Sequence, residues 1–171
     1  MHEQIVEVVA GFLANIPTPW ATAIMAMLPI TELRASIPYA IFKYGHTVEE
    51  AYLYSVLGNI VPIVLILLLL KKIDAFLRQR SVTARRFFDW LYERTYKKDG
   101  KHFERWGTIA LIVIAALPFP VITGAWTAAL LATIFDVPFK KSATAITIGI
   151  LLAGVIVVGL TVGVKGLVAA N

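Results

Sequence analysis

The chain has no cysteine, so a disulfide framework, a thiolate nucleophile and a cysteine-held zinc are all excluded. Histidine is almost as scarce. His2, His46 and His102 lie far apart, none at metal-ligand spacing from another, so no metal site is expected. No glycine-rich phosphate loop and no nucleophile elbow occurs, and neither a catalytic residue nor a cofactor is predicted. Glu49-Glu50 resembles the start of the Glu-Glu-x-x-x-Arg motif of intramembrane prenyl proteases, but Tyr54 holds the Arg position and rules that reading out. The N-terminus lacks the basic n-region of a signal peptide, and the apolar stretch 5–16 is too short to span and carries Glu7.

Charge is also scarce, except in one place. Residues 71–106 hold 11 of the 16 Lys and Arg residues against five acids, a net +6 that exceeds the +5 of the whole chain. The remainder is strongly apolar: 58% of the residues are hydrophobic and the mean hydropathy is +0.76. Four apolar blocks, roughly 20–42, 51–70, 107–135 and 143–169, each reach the roughly 20 residues needed to cross about 30 Å of hydrocarbon. An all-α integral membrane protein follows, multi-pass and placed in the plasma membrane. Residues 1–16 read as a short interfacial helix with Ile5, Val8, Val9, Phe12 and Leu13 on one face, ended by Pro17 and Pro19.

The sequence repeats weakly. Leu28-Pro29 and Leu117-Pro118 open the cores of two halves 89 residues apart. The turns beginning Tyr44-Gly45-His46 and Phe135-Asp136-Val137 correspond at an offset of 91, and Gly58 and Gly149 keep that second offset. Each half, 17–70 and 107–171, is a broken apolar segment followed by an unbroken helix. The breaks are placed at Pro29 and Pro38 in the first half and at Pro118 and Pro120 in the second. Backbone freed there must be buried in protein or face a wet cavity. Each broken segment is therefore either a re-entrant hairpin (20–44 and 107–135) or one kinked span. Charge favours the hairpin. With 71–106 cytoplasmic, a re-entrant 107–135 keeps Lys140-Lys141 on the same side, whereas a full span would place them outside. The halves are then inverted, an arrangement that recurs in secondary transporters. The full spans would be 51–70 and 143–165.

Within this framework Glu32 and Arg34 are the sharpest feature. They lie at membrane depth, where a charge costs roughly 2.5–3.5 kcal/mol on insertion scales and so faces a cavity or a partner. Arg34 suits an anionic group such as phosphate, Glu32 a titrating role, and Ser36 adds a hydroxyl. A structural ion pair is the competing reading. The matching place in the second half is uncharged. There Thr123, Thr127 and the Trp126 indole can donate, and Gly124 permits close approach of a ligand or another backbone. Asn59 lines a pathway or satisfies backbone freed by Pro62. Ala145, Gly149 and Ala153, continued by Gly159 and Gly163, allow close helix packing or a homodimer face. In 71–106 bases interleave with aromatic residues such as Phe87 and Trp90, and Gly100 is expected to break the segment. An interfacial amphipathic arm on anionic lipid is expected here, and no nucleic acid.

The chain resembles the small multidrug export protein family from about Ile16 to Val164. The resemblance rests on Pro29-Ile30-Thr31-Glu32-Leu33-Arg34-Ala35-Ser36-Ile37-Pro38 and on Gly58-Asn59-Ile60-Val61-Pro62. It extends to Pro118-Phe119-Pro120 leading to Thr123-Gly124-Ala125-Trp126-Thr127. The Val121-Ile122 spacer and Ala128 depart from the family pattern. More distantly the paired hairpins look similar to the DedA/VTT superfamily of lipid scramblases and undecaprenyl-phosphate translocases, whose acidic and Arg residues are matched here only by Glu32 and Arg34. These resemblances imply a transporter or lipid translocase for an anionic or amphiphilic substrate, such as a polyprenyl or phospholipid phosphate, coupled to protons. The alternatives are drug/proton antiport and a membrane scaffold that transports nothing.

Overall fold

A computed structural model of the chain describes residues 2–117 and 124–169. Among these residues the chain is all helical: α1 (His2–Phe12), α2 (Thr18–Met27), α3 (Glu32–Phe42), α4 (Val48–Arg80), α5 (Val82–Ala116), α6 (Ala125–Ile134) and α7 (Phe139–Ala169). Val48–Leu70 within α4 and Phe139–Leu167 within α7 are long and apolar enough to cross a membrane. Both expose apolar side chains, among them Leu53, Leu57, Val61 and Leu65 on α4 and Ile148, Leu152, Val155 and Leu160 on α7. An apolar surface of that extent on a soluble monomer is rare, whereas lipid accepts it.

The proline pattern explains the short helices. Pro19 occupies the first turn of α2, where its missing N–H is no loss, so it opens a helix rather than ending α1. Pro29 forces Leu28 out of the helical region to φ −81°, ψ 138°, which stops α2 after 10 residues, about 15 Å. The Thr31 hydroxyl donates to the Met25 carbonyl at the end of α2. The Glu32 N–H donates to the Leu28 carbonyl at 2.9 Å, and α3 packs side by side with α2. Leu117, before Pro118, likewise follows the last turn of α5, and α6 packs on α5.

Three expectations need correction. Pro38 does not break the chain; it lies inside α3. It has no N–H to offer the Arg34 carbonyl one turn back, yet the helix continues, and both residues line an open cavity. The basic stretch is not a separate helix broken at Gly100. Instead α4 continues to Arg80, about 50 Å in all, and α5 runs unbroken through Gly100 after a single extended residue, Ser81. Lys, Arg and Leu are good helix formers, and one glycine costs only about 1 kcal/mol. The buried face of α1 is Val6, Ala10 and Leu13, packed on Ala21, Met25 and Ala35, while Val8 and Phe12 are exposed. These positions also follow i, i+4, i+7 spacing, and the small Ala10 allows closer approach than the bulky face.

A capping box starts α4: Glu50 N–H donates to the Thr47 hydroxyl at 3.3 Å, and Thr47 N–H donates to the Glu50 carboxylate at 3.0 Å. The turn before it carries Gly45 at φ +69°, and the turn before α7 carries Asp136 at φ +56°, at the offset of 91 seen in the sequence. Gly58 of α4 lies against the backbone of Ala23 in α2, and Gly149 of α7 against Ile112 and Ala115 in α5. In both places the long helix approaches the first helix of its own half at a distance only glycine allows. Around these contacts α3, α4, α5, α6 and α7 share one apolar core that includes Ile37, Val56, Leu111, Ala128 and Ile146.

Candidate functional site at the meeting of the two halves

Glu32 and Arg34 stand in the first turn of α3, where the first half turns back. Glu32 is held at φ +45°, a left-handed conformation that costs an L-residue roughly 1–2 kcal/mol. Arg34 Nη1 donates to Glu32 Oε2 at 2.7 Å, and the two side chains are 13% and 7% exposed. The pair reaches across to the second half at two points. Arg34 Nη2 donates to the Leu117 carbonyl, just past the last turn of α5. The Glu32 carboxylate faces the start of α6, beside Gly124 and toward the backbone N–H of Trp126. An acid thus sits on the positive end of one helix and a base on the negative end of another, both favourable placements.

Gly124 makes this contact possible. It sits just before α6 at φ 150°, ψ 176°, a region nearly closed to other residues. A Cβ there would lie 2.6 and 2.9 Å from the Glu32 oxygens and 2.8 Å from Arg34 Nη1. The backbone of the second half is therefore pressed directly on the ion pair of the first.

The other expected residues divide. Pro29 lies in the turn between α2 and α3, as expected. Pro118, Pro120 and Thr123, with the Val121-Ile122 spacer, lie outside the described residues. Trp126 turns its backbone N–H toward Glu32; its indole packs on the apolar core, with Nε1 buried and lacking a partner among the described residues. Thr127 is half-buried in the same first turn of α6. Ser36 does not join the ion pair; its hydroxyl donates to that of Ser55 on α4 at 2.7 Å. Asn59 lies one turn beyond Ser55, 1% exposed, with Oδ1 lacking a partner among the described residues. The Ser36–Ser55 bond places Asn59 at the level of Glu32, one turn deeper along both helices. Ser55 was not singled out from sequence, though its spacing from Asn59 on an apolar helix was the available signal.

Arg34 also borders a cavity of about 610 Å³ between α1 and α3, whose lining includes Gln4, Glu7, Tyr39 and Lys43. At its rim Lys43 Nζ and Glu7 Oε1 are 4.0 Å apart, both well exposed. Beyond Tyr39 a chain of ring contacts runs through Tyr44, His46 and Tyr54 to Trp20, with centroids 5.1–6.4 Å apart. Burial, and then the neighbouring Tyr39, push the Tyr44 phenol above its ordinary pKa. No group of three potential metal ligands occurs among the described residues.

The family model described as "putative small multi-drug export protein" matches residues 32–156, beginning at Glu32 itself. No curated protein and no solved structure matches the chain.

Proposed function

The chain belongs to the small multi-drug export protein family, and from that premise we propose that it is a multi-pass membrane transporter for an anionic or amphiphilic compound. Its working site is the Glu32–Arg34 junction, where two inverted re-entrant hairpins meet. The observation that carries this reading is the reach of one ion pair to the backbone of the other half: Arg34 bonds the Leu117 carbonyl, and both side chains press on Gly124. An ion pair that only stabilised its own helix would not reach across.

The chemistry follows from what holds the pair. While Glu32 is charged, it balances Arg34 and faces the α6 N–H. Protonation of Glu32 removes that balance. Arg34 can then take an anionic group, for which a guanidinium is suited by its paired donors. The free N–H groups at the start of α6 point to the same place. Substrate and proton thus compete for one set of contacts, and the exchange loosens the hold between the halves. Alternating access requires such a loosening. A phospholipid or polyprenyl phosphate fits this chemistry. The recurrence of Gly45 with Asp136, and of Gly58 with Gly149, supports the repeat, and Lys140-Lys141 together with the basic extension of α4 and α5 supports its inversion. That extension is assigned to the cytoplasmic side of the plasma membrane, against anionic lipid.

The family description favours a second reading, drug/proton antiport with Glu32 as the carrier of either a cationic drug or a proton. One experiment separates the two. Proteoliposomes are loaded with a fluorescent phospholipid phosphate in one arm and challenged with a cationic dye against a pH gradient in the other. The first reading expects lipid-phosphate movement that needs both Glu32 and Arg34. Antiport expects dye-driven loss of the pH gradient that needs Glu32 alone. Wild-type transport by both Glu32→Gln and Arg34→Ala would remove the assigned roles and leave a scaffold whose buried pair is structural.

A further inference from the structure

We infer that the cleft between α1 and α3 is a binding site in its own right. It admits a drug-sized amphiphile with an anionic head from the outer end of α3. The inference rests on the reading above that Arg34 is the anion-binding group, and it adds where the ligand comes in and what shape it has.

The cavity of about 610 Å³ falls within the range of sites that hold drug-sized ligands, about 300–1,000 Å³. Its wall is amphipathic along its length. Val6, Ala35 and Phe42 supply apolar surface for a tail, while Lys43 lies toward the far end of the cleft from Arg34. These two cations are nine residues apart on and just beyond α3, about 14 Å along the axis. Glu7 faces Lys43 from α1 and Glu32 balances Arg34, so the charge of the cleft turns in favour of an anion when Glu32 takes up its proton, as in the exchange above. A ligand could be captured at Lys43 and handed inward to Arg34.

The cover is weakly held. α1 rests on α2 and α3 through Val6, Ala10 and Leu13. Over the cleft its polar tie among the described residues is the exposed Glu7–Lys43 pair at 4.0 Å, a kind of contact that contributes little in water. The opposite face exposes Val8 and Phe12. A helix with apolar residues on both faces can shift from the protein onto a bilayer surface without exposing all of them to water. The same movement that opens the cleft to the bilayer would carry Glu7 away from Lys43 and leave the lysine free for an anionic head.

The absence of cysteine makes the test clean. A Glu7→Cys, Lys43→Cys pair adds the only two thiols to the full-length chain, at positions whose native side-chain tips meet across the cleft mouth. Cysteine is too short to bridge that gap directly, so the pair is joined by a reducible bis-methanethiosulfonate whose spacer replaces the length of the lost side chains. Binding of fluorescent lysophosphatidic acid to the purified protein is measured in neutral nanodiscs, before and after cross-linking and again after reduction. A neutral monoacylglycerol and a cationic dye serve as comparison probes. Cross-linking is expected to weaken lysophosphatidic acid binding by about tenfold or more, with recovery on reduction. Lys43→Ala in the cysteine-free chain is expected to weaken it several-fold and to leave the monoacylglycerol unaffected. Equal binding by the cross-linked and reduced forms would overturn the inference even if Glu32 and Arg34 prove essential for transport. So would failure of the spacer to bridge the pair, because the cleft exists only with α1 over α3. A preference for the cationic dye would overturn the assigned ligand class. Conversely, a latch-sensitive, Lys43-dependent site in a protein that moves no lipid phosphate would refute the transport reading and leave the cleft as a ligand site.

Discussion

Replacing Gly124 with alanine tests the junction at its tightest point. Two costs add. The backbone there, at φ 150° and ψ 176°, lies in a region nearly exclusive to glycine, and forcing a Cβ into it costs about 1–3 kcal/mol. The same Cβ would stand 2.6 to 2.9 Å from Glu32 Oε1, Arg34 Nη1 and Glu32 Oε2, so the buried pair must move. Full disruption of such a pair by loss of one partner costs about 3–5 kcal/mol, and a partial displacement is set at about 2. The expected total is about 3–5 kcal/mol. Gly45→Ala is the matched control: that residue is also left-handed, at φ +69°, but a Cβ there meets nothing within 4 Å. Its cost is the backbone part alone, about 1–2 kcal/mol. Thermal unfolding followed by size-exclusion fluorescence in detergent should show Gly124→Ala melting well below Gly45→Ala. The gap is about 4–12 °C if each kcal/mol shifts the midpoint by about 2–4 °C. In a Glu32→Ala background, with the carboxylate gone, the extra cost of Gly124→Ala should shrink by more than half. If the two glycine variants melt together, or if the excess persists without the carboxylate, Gly124 does not press on the ion pair and the junction is wrongly described.

The contact between long and short helices can be tested by a second glycine pair. Gly58→Ala would drive a Cβ into the Ala23 backbone, which cannot yield like a side chain, and should destabilise the protein by about 1–3 kcal/mol. Gly159→Ala, where nothing lies within 4 Å, should instead stabilise α7 by about 0.5–1 kcal/mol; the same melting assay distinguishes them. Tyr44 gives a pH dependence outside the membrane-spanning helices. Its phenol is raised above the ordinary value of 10.0 in the folded protein. The stabilisation from keeping it neutral is therefore full below about pH 10 and lost as the pH rises through the folded-state value. Phenolate absorbance should show a late-ionising component, and Tyr44→Phe should reduce it by one tyrosine and flatten the alkaline fall in stability.

The long apolar helices were legible because a run of 20 or more apolar residues has few other uses. The end of α2 was legible because proline restricts the residue before it. Pro38 obeys the same chemistry yet did not break α3. It lines a cavity closed by α1, and a cavity formed by a distant helix has no sequence signature. The extension of α4 to Arg80 was missed for a related reason. The change from leucine to lysine marks where hydrocarbon would end, not where helix ends, and both residues are good helix formers. At the junction, Glu32 and Arg34 stood out as charges in apolar surroundings. Their partners did not, because the Leu117 carbonyl and the Trp126 N–H are backbone groups that every residue carries. Gly124 gave the only hint, as a position where something must come close. Ser36 was assigned with the charged residues by proximity in sequence, but on a helix it is one turn away from Glu32 and meets Ser55 instead.

The inequality of the two halves follows from these contacts and can itself be tested. At the junction the first half supplies the charged pair, and those charges serve the ends of helices in the second: Glu32 faces the start of α6, Arg34 the end of α5. A free-standing ion pair would be indifferent to which residue is which. Exchanging the two, Glu32→Arg with Arg34→Glu, would preserve the attraction and restore much of what either single change removes. Two capped helix ends are not indifferent. The exchange would bring a guanidinium to the N–H groups of α6 and a carboxylate to the carbonyls after α5. Each then faces a dipole of its own sign with no hydrogen bond to make. In partly buried settings one such favourable dipole contact is worth up to about 2 kcal/mol, so reversing two of them should leave the exchange variant no more stable than the worse single variant. A double-mutant cycle on melting temperature decides it. Near-complete rescue would show the pair to be a local bridge of the first half, and the argument that it couples the halves would fall with it.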